Sequence, residues 1–108
     1  MAQLEPIARM VNQLARLPGI GQKTAQRLAY YIVSLPQEDV HELAAAIWQG
    51  RKAIRYCSIC GNYAVEDICD ICAAPGRQNG QICVVRDPRD VAAIERMHDF
   101  HGRYHVLH

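Results

Sequence analysis

At 108 residues, with 12 Lys and Arg against 11 Asp and Glu, the chain suffices for one ordinary domain or for two or three very small modules sharing a stabiliser, and its net charge of +1 excludes a strongly basic nucleic-acid protein. It contains no stretch of about 20 apolar residues that could cross a membrane, and Glu5 and Arg9 interrupt any apolar run at its start, so no signal peptide is expected. Aromatic residues make up only 6% of the sequence, low for a protein that holds single strands by base stacking.

In chain order, Leu4, Ile7, Ala8, Val11, Leu14 and Ala15 recur at helical spacing and predict an amphipathic helix ending near Leu17. Pro18 cannot continue that helix, and Gly19 and Gly21 on either side of Ile20 allow a tight hairpin with positive φ. A second helix follows at once, with Ala25, Leu28, Ala29 and Ile32 on one face and a break at Ser34 to Pro36. The backbone N–H groups at its start lack intrahelical partners, the helix dipole adds positive potential, and Lys23 and Arg27 stand four residues apart on one face. This arrangement can grip phosphate without reading bases, so Gly19, Gly21, Lys23 and Arg27 are the candidate DNA contacts, against the plainer reading of an interhelical turn with a solvated surface. Ile20 is expected to point inwards as the hairpin's anchor. One motif contacting few phosphates binds weakly, which favours several copies acting together in an oligomer.

Val40, Leu43, Ala44, Ile47 and Trp48 mark a third helix running towards Ile54. Trp48, Tyr30 and Tyr31 are expected in the core or at oligomer contacts. The segment YCSICGNYAVEDICDIC then carries two Cys-x-x-Cys pairs, Cys57 with Cys60 and Cys69 with Cys72. Two facing knuckles of this kind supply four sulfurs to one tetrahedral zinc and leave no position for water or substrate, so the metal is structural, one ion per chain. Disulfides and redox chemistry compete with zinc, but a start unlike a signal peptide leads to the expectation of a cytosolic chain with reduced thiols. Cys83, within Ile82 to Val85, reads as a small buried residue on a strand.

Ala73 to Gly80 reads as a linker. Ile82 to Val85 then predicts a strand, Asp87 a helix cap with Pro88 in the first turn, Val91, Ala92, Ile94 and Met97 the buried side of that helix, and Tyr104 to Leu107 a second strand. Such a βαβ unit normally opens a larger parallel sheet, so a truncated chain is expected. His98, His101, His105 and His108 crowd the C-terminus, but helix, loop and strand intervene, and they read as surface and strand-edge residues.

LPGIGQKTAQRLA, YCSIC, ICDIC, ICVVRDPRDVAAIE and YHVLH, in a chain ordered as helix-hairpin-helix, four cysteines and βαβ, together resemble the RecR family of bacterial recombination-repair proteins over essentially the whole length. The resemblance implies an α+β multi-module fold: a helix-hairpin-helix helical domain at 1–54, a four-cysteine zinc-finger segment, a small knuckle or ribbon, at 55–75, and the start of a truncated Toprim domain, a parallel α/β fold, at 76–108. It also implies a DNA-contacting role for Gly19, Gly21, Lys23 and Arg27, and a zinc-ligand role for Cys57, Cys60, Cys69 and Cys72. The function implied is a non-enzymatic clamp or adaptor of recombinational DNA repair, working with RecO and RecF to help load RecA at single-stranded gaps. Such a protein is a dimer or tetramer when full-length, cytoplasmic and nucleoid-associated.

Two other functions remain open on the sequence: a fragment of a Toprim nuclease, primase or topoisomerase, and a zinc-ribbon protein-interaction module whose hairpin only packs helices. The catalytic version needs a carboxylate at the end of the first strand, where Arg86 stands, and Asp87 is expected to cap the next helix instead.

Overall fold

The computed structural model describes residues 3–108. Backbone proximity divides the chain into two compact units, one ending at Trp48 and the other spanning Gln49–His108.

The first unit is helical. Helix α1 (Glu5–Leu14) begins with Pro6 in its first turn and is followed by α2 (Gln22–Ser34) and α3 (Gln37–Ala53), whose last turn enters the second unit. α1 and α2 pack through Val11, Ala25 and Ala29, all buried, with Ile7, Met10, Leu14, Ala15 and Ile20 around them. The four-residue spacing of Ala25 and Ala29 puts two methyl-sized side chains on one face of α2, so the α1 helix can approach closely. Ile20 packs against this cluster, as the hairpin requires. α1 closes three residues earlier than its periodicity predicts, because the backbone tightens through Arg16 N–H to Gln13 O and Leu17 N–H to Leu14 O before Pro18.

α3 departs from expectation. No residue of it is buried, and Leu43, Ile47 and Trp48 stand 47%, 66% and 66% exposed. Tyr30 and Tyr31 are also exposed. Trp48, Tyr30 and Tyr31 therefore do not lie in a core among the described residues, which corrects that half of the expectation and leaves oligomer contacts as the other.

The second unit holds two small sheets. β1 (Arg55–Tyr56) pairs antiparallel with β2 (Tyr63–Ala64), with Tyr56 opposite Tyr63. The short helix α4 (Asp70–Ala73) and a 3-10 turn at Pro75–Arg77 follow, so much of the expected linker is ordered. β3 (Ile82–Val85), α5 (Pro88–Glu95) and β4 (Arg103–Val106) form the βαβ unit, its strands parallel in the register Ile82 to Arg103 through Val85 to Val106. Alternation sends Cys83, Val85, Tyr104 and Val106 to the side where Val91, Ile94 and Phe100 pack, and leaves Ile82 and Val84 exposed. Cys83 lies on the strand expected of it, but half-buried at the edge of this cluster rather than buried.

Backbone bonds sew the knuckle to the βαβ unit: Val106 N–H donates to Cys60 O at 2.8 Å, and half-buried Ile71 packs against both cores. Among the described residues, no helix is long and apolar enough to cross a membrane.

Candidate metal centre and nucleic-acid interface

Each Cys-x-x-Cys pair sits on a turn that its own backbone closes. In the first, Gly61 N–H donates to Cys57 O at 3.0 Å and Cys57 N–H to Asn62 O at 2.7 Å. In the second, Cys69 caps α4, its sulfur accepting from Cys72 N–H at 3.4 Å. Local turns therefore aim both sulfurs of each pair the same way, and the β1–β2 hairpin brings the two turns face to face.

The four Sγ atoms lie within 4.8 Å of one another, and all four residues are buried. A tetrahedron of sulfurs about 2.3 Å from zinc has edges of roughly 3.8 Å. Cys60 Sγ and Cys69 Sγ are 3.7 Å apart, which matches that edge. Further N–H groups point at the sulfurs: Ile59 and Cys69 donate to Cys57 Sγ at 3.4 and 3.3 Å, and Asn62 to Cys60 Sγ at 3.4 Å. Such donors favour thiolate over thiol.

The electrostatics of the metal-free cage follow from the same contacts. Burial pushes the Cys57 thiol up, but the N–H groups of Cys69, Cys60 and Ile59 outweigh it and bring it down to about 6. Burial dominates at Cys60 and Cys72 and holds both above the ordinary thiol value of 9.0. Four thiolates cannot share this volume without a cation, and a divalent ion reverses the balance by pairing with all of them. The donor set and dimensions fit one structural zinc, with no coordination position left open.

The cluster's core is those four cysteines and Ala64, with Ile71 beside it. Among the described residues, this is the one gathered set of metal-ligating side chains. The C-terminal histidines do not converge: His98, His101 and His105 are exposed, and His108 Nε2 lies 2.7 Å from Gly61 O with its ring 4.4 Å from that of Tyr56.

The structure brings the hairpin residues together at the start of α2. Gly19 has φ +81, a conformation that favours glycine. Gly21 does not share it: with φ −84 and ψ −179 it is extended and serves as the N-cap of α2, correcting the expectation of two positive-φ glycines. No side chain caps α2, and Gly21, Gln22, Lys23 and Arg27 are exposed. Arg27 Nη2 donates to Thr24 Oγ1 at 3.4 Å, which leans the guanidinium along the first turn.

Asp87 takes the capping role expected of it: Oδ1 accepts from Arg89 N–H at 2.8 Å, and both oxygens accept from the Arg89 side chain. Two other groups emerge only in the fold. Arg77, within the supposed linker, pairs with Glu95 and donates to the carbonyls of Phe100 and Gly102. Tyr56 and Tyr63, flanking the first knuckle on either side, form an exposed pair of rings 5.9 Å apart. Their position around Cys57 and Cys60 was the available signal.

Comparison with known proteins agrees with this geometry. The family model for the RecR helix-hairpin-helix matches residues 7–50, and that for the RecR four-cysteine zinc finger domain matches residues 54–74. The chain is 53% identical over 104 residues to the recombination protein RecR of Pelotomaculum thermopropionicum, covering 96% of this chain and 52% of that protein. It is 50% identical over 102 residues to the RecR of Thermosynechococcus vestitus, covering 94% and 50%, and 52% identical over 102 residues to that of Gloeobacter violaceus, covering 94% and 52%. The chain thus spans about half the length of these relatives.

Proposed function

This chain belongs to the RecR family, and from that premise we propose that it serves recombinational DNA repair as a non-enzymatic DNA-binding clamp or adaptor. Cys57, Cys60, Cys69 and Cys72 hold the zinc, which supplies folding free energy to a segment whose own apolar core is minimal. Gly19 and Gly21 bring the α2 N-terminus up to a phosphate, and Lys23 and Arg27 neutralise it. The observation that carries this reading is the exposed, uncapped start of α2 with both cations beside it.

The domain division at 1–54, 55–75 and 76–108, with the last as a Toprim opening, belongs to the same proposal. So do partnership with RecO and RecF, help in loading RecA at single-stranded gaps, and a cytoplasmic, nucleoid-associated location. A dimer or tetramer is supported by exposed Leu43, Ile47 and Trp48 on α3, which leave apolar surface for a second copy. A non-enzymatic role is supported by Arg86 at the end of β3 and by Asp87, whose oxygens are taken up by Arg89.

The test is DNA affinity against salt. Lys23→Ala and Arg27→Ala should each weaken binding irrespective of sequence and lower the salt slope by about 1. An unchanged slope in both variants removes the phosphate contact and leaves the hairpin as a helix-packing turn.

A further inference from the structure

The β1–β2 hairpin of the knuckle turns one face to the cysteines and another to solvent. Ala64 is buried in the zinc cluster, whereas the cross-strand pair Tyr56 and Tyr63 is 58% and 48% exposed, with rings 14° from parallel. The two rings stack on each other and the His108 ring lies 4.4 Å from that of Tyr56, so the ring surface still open to water is what the hairpin offers a ligand.

Beside them runs a groove of about 670 Å³ lined by Gly50, Arg51, Ile54, Arg55, Tyr56 and Tyr63. Gly50 adds no side chain, so the end of α3 does not close the groove. Arg51 is exposed, and Arg55 pairs with Asp67 at 3.3 Å, their side chains 57% and 64% exposed. An ion pair so open to water contributes little and exchanges readily for another anion.

We propose that Tyr56 and Tyr63 are a stacking platform for unpaired nucleobases, with Arg51 and Arg55 holding the phosphates on either side. Paired aromatic faces plus guanidinium groups are the chemistry that grips single-stranded nucleic acid without choosing its sequence. A duplex keeps its base faces stacked and cannot use the rings, so the platform adds a preference for single strands that the phosphate-gripping hairpin lacks. The inference rests on the DNA-binding reading above but uses a different surface and a different part of the nucleotide.

The test compares the zinc-loaded chain on an oligothymidylate and on an abasic strand of equal length, which keeps the phosphates and loses the bases. The intact protein should favour the base-bearing strand. Tyr56→Ala and Tyr63→Ala should each lower affinity for it by roughly fivefold to a hundredfold and leave the abasic strand unaffected. Tyr56→Phe and Tyr63→Phe should keep the preference, and Arg51→Ala should weaken both strands together.

Zinc content reports whether a variant is folded, and Tyr63→Leu, which keeps apolar bulk without a ring, replaces any alanine variant that loses metal. Equal affinity of the intact protein for the two strands overturns the platform. So does unchanged binding in zinc-loaded alanine or leucine variants, the result expected if the rings serve a protein partner. Lys23→Ala and Arg27→Ala should weaken both strands equally and preserve their ratio. A preserved ratio without any weakening would sink the hairpin reading alone.

Discussion

At Gly102 the chain has no room for a side chain. An added Cβ would lie 2.5 Å from Gln81 O and 2.7 Å from a Phe100 ring carbon, where β4 starts beside β3. Gly102→Ala should therefore cost about 1–3 kcal/mol as the strand entry shifts, read as a lower urea midpoint with an unchanged slope. Two residues later in the same strand pair, Tyr104 O–H donates to Glu95 at 2.5 Å, and Glu95 also pairs with Arg77. Burial and the Glu95 carboxylate hold the Tyr104 phenol above its ordinary 10.0. A folded value above the unfolded one gives stabilisation that is complete below pH 10.0 and lost as the pH rises through the folded value. Ultraviolet titration should show a late tyrosinate phase that disappears in Tyr104→Phe.

Burial opposes ionisation of Glu95, but the bonds from Arg77 and Tyr104 win and lower it below 4.5. Its stabilisation is present above that value and fades as acid takes the folded carboxylate. The isolated arginine and glutamate of the sequence did not reveal this network, because residues 18 apart meet only when α5 folds back on the turn at Arg77.

The elements divide by how local their causes are. LPGIGQK was legible as a hairpin, since Pro18 bars any continuation of the first helix and Gly19 supplies the positive φ by itself. The βαβ order was legible too, from an apolar run, an Asp-Pro cap and a second run. Gly21 was misread because a G-x-G pattern does not say which glycine needs its freedom. α3 was located correctly but its apolar face was expected to be covered, which depends on a neighbour that periodicity cannot supply. The tight α1–α2 contact yields a prediction at this scale. Ala29 is fully buried, so Ala29→Leu should overpack the interface and cost about 1–3 kcal/mol, measured by thermal unfolding.

Among the described residues, buried side chains gather in three small cores, two of them bridged by Ile71 and one made mostly of sulfur. A chelator should remove on the order of 10 kcal/mol from the knuckle and abolish its amide protection, while the α1–α2 cluster, which shares no residue with it, keeps its own. Zinc must also displace protons: the thiols of the unfolded knuckle are mostly protonated at neutral pH, so holding four of them as thiolates should release about four protons per ion. Affinity should therefore fall as the pH falls. Calorimetry in buffers of different ionisation enthalpy measures that number directly, and native mass spectrometry should find one zinc per chain in a dimer or tetramer.

The metal, the hairpin and the βαβ order could be read from sequence because each is written in residues a few positions apart, where covalent spacing and backbone geometry leave few outcomes. The tertiary structure alone decided that Arg77 serves Glu95, that Tyr56 and Tyr63 form a paired exposed face, and that the knuckle joins β4 through Cys60 and Val106. Those contacts join residues separated by 7 to 46 positions, and their partners are chosen by which surfaces remain after the local elements have formed.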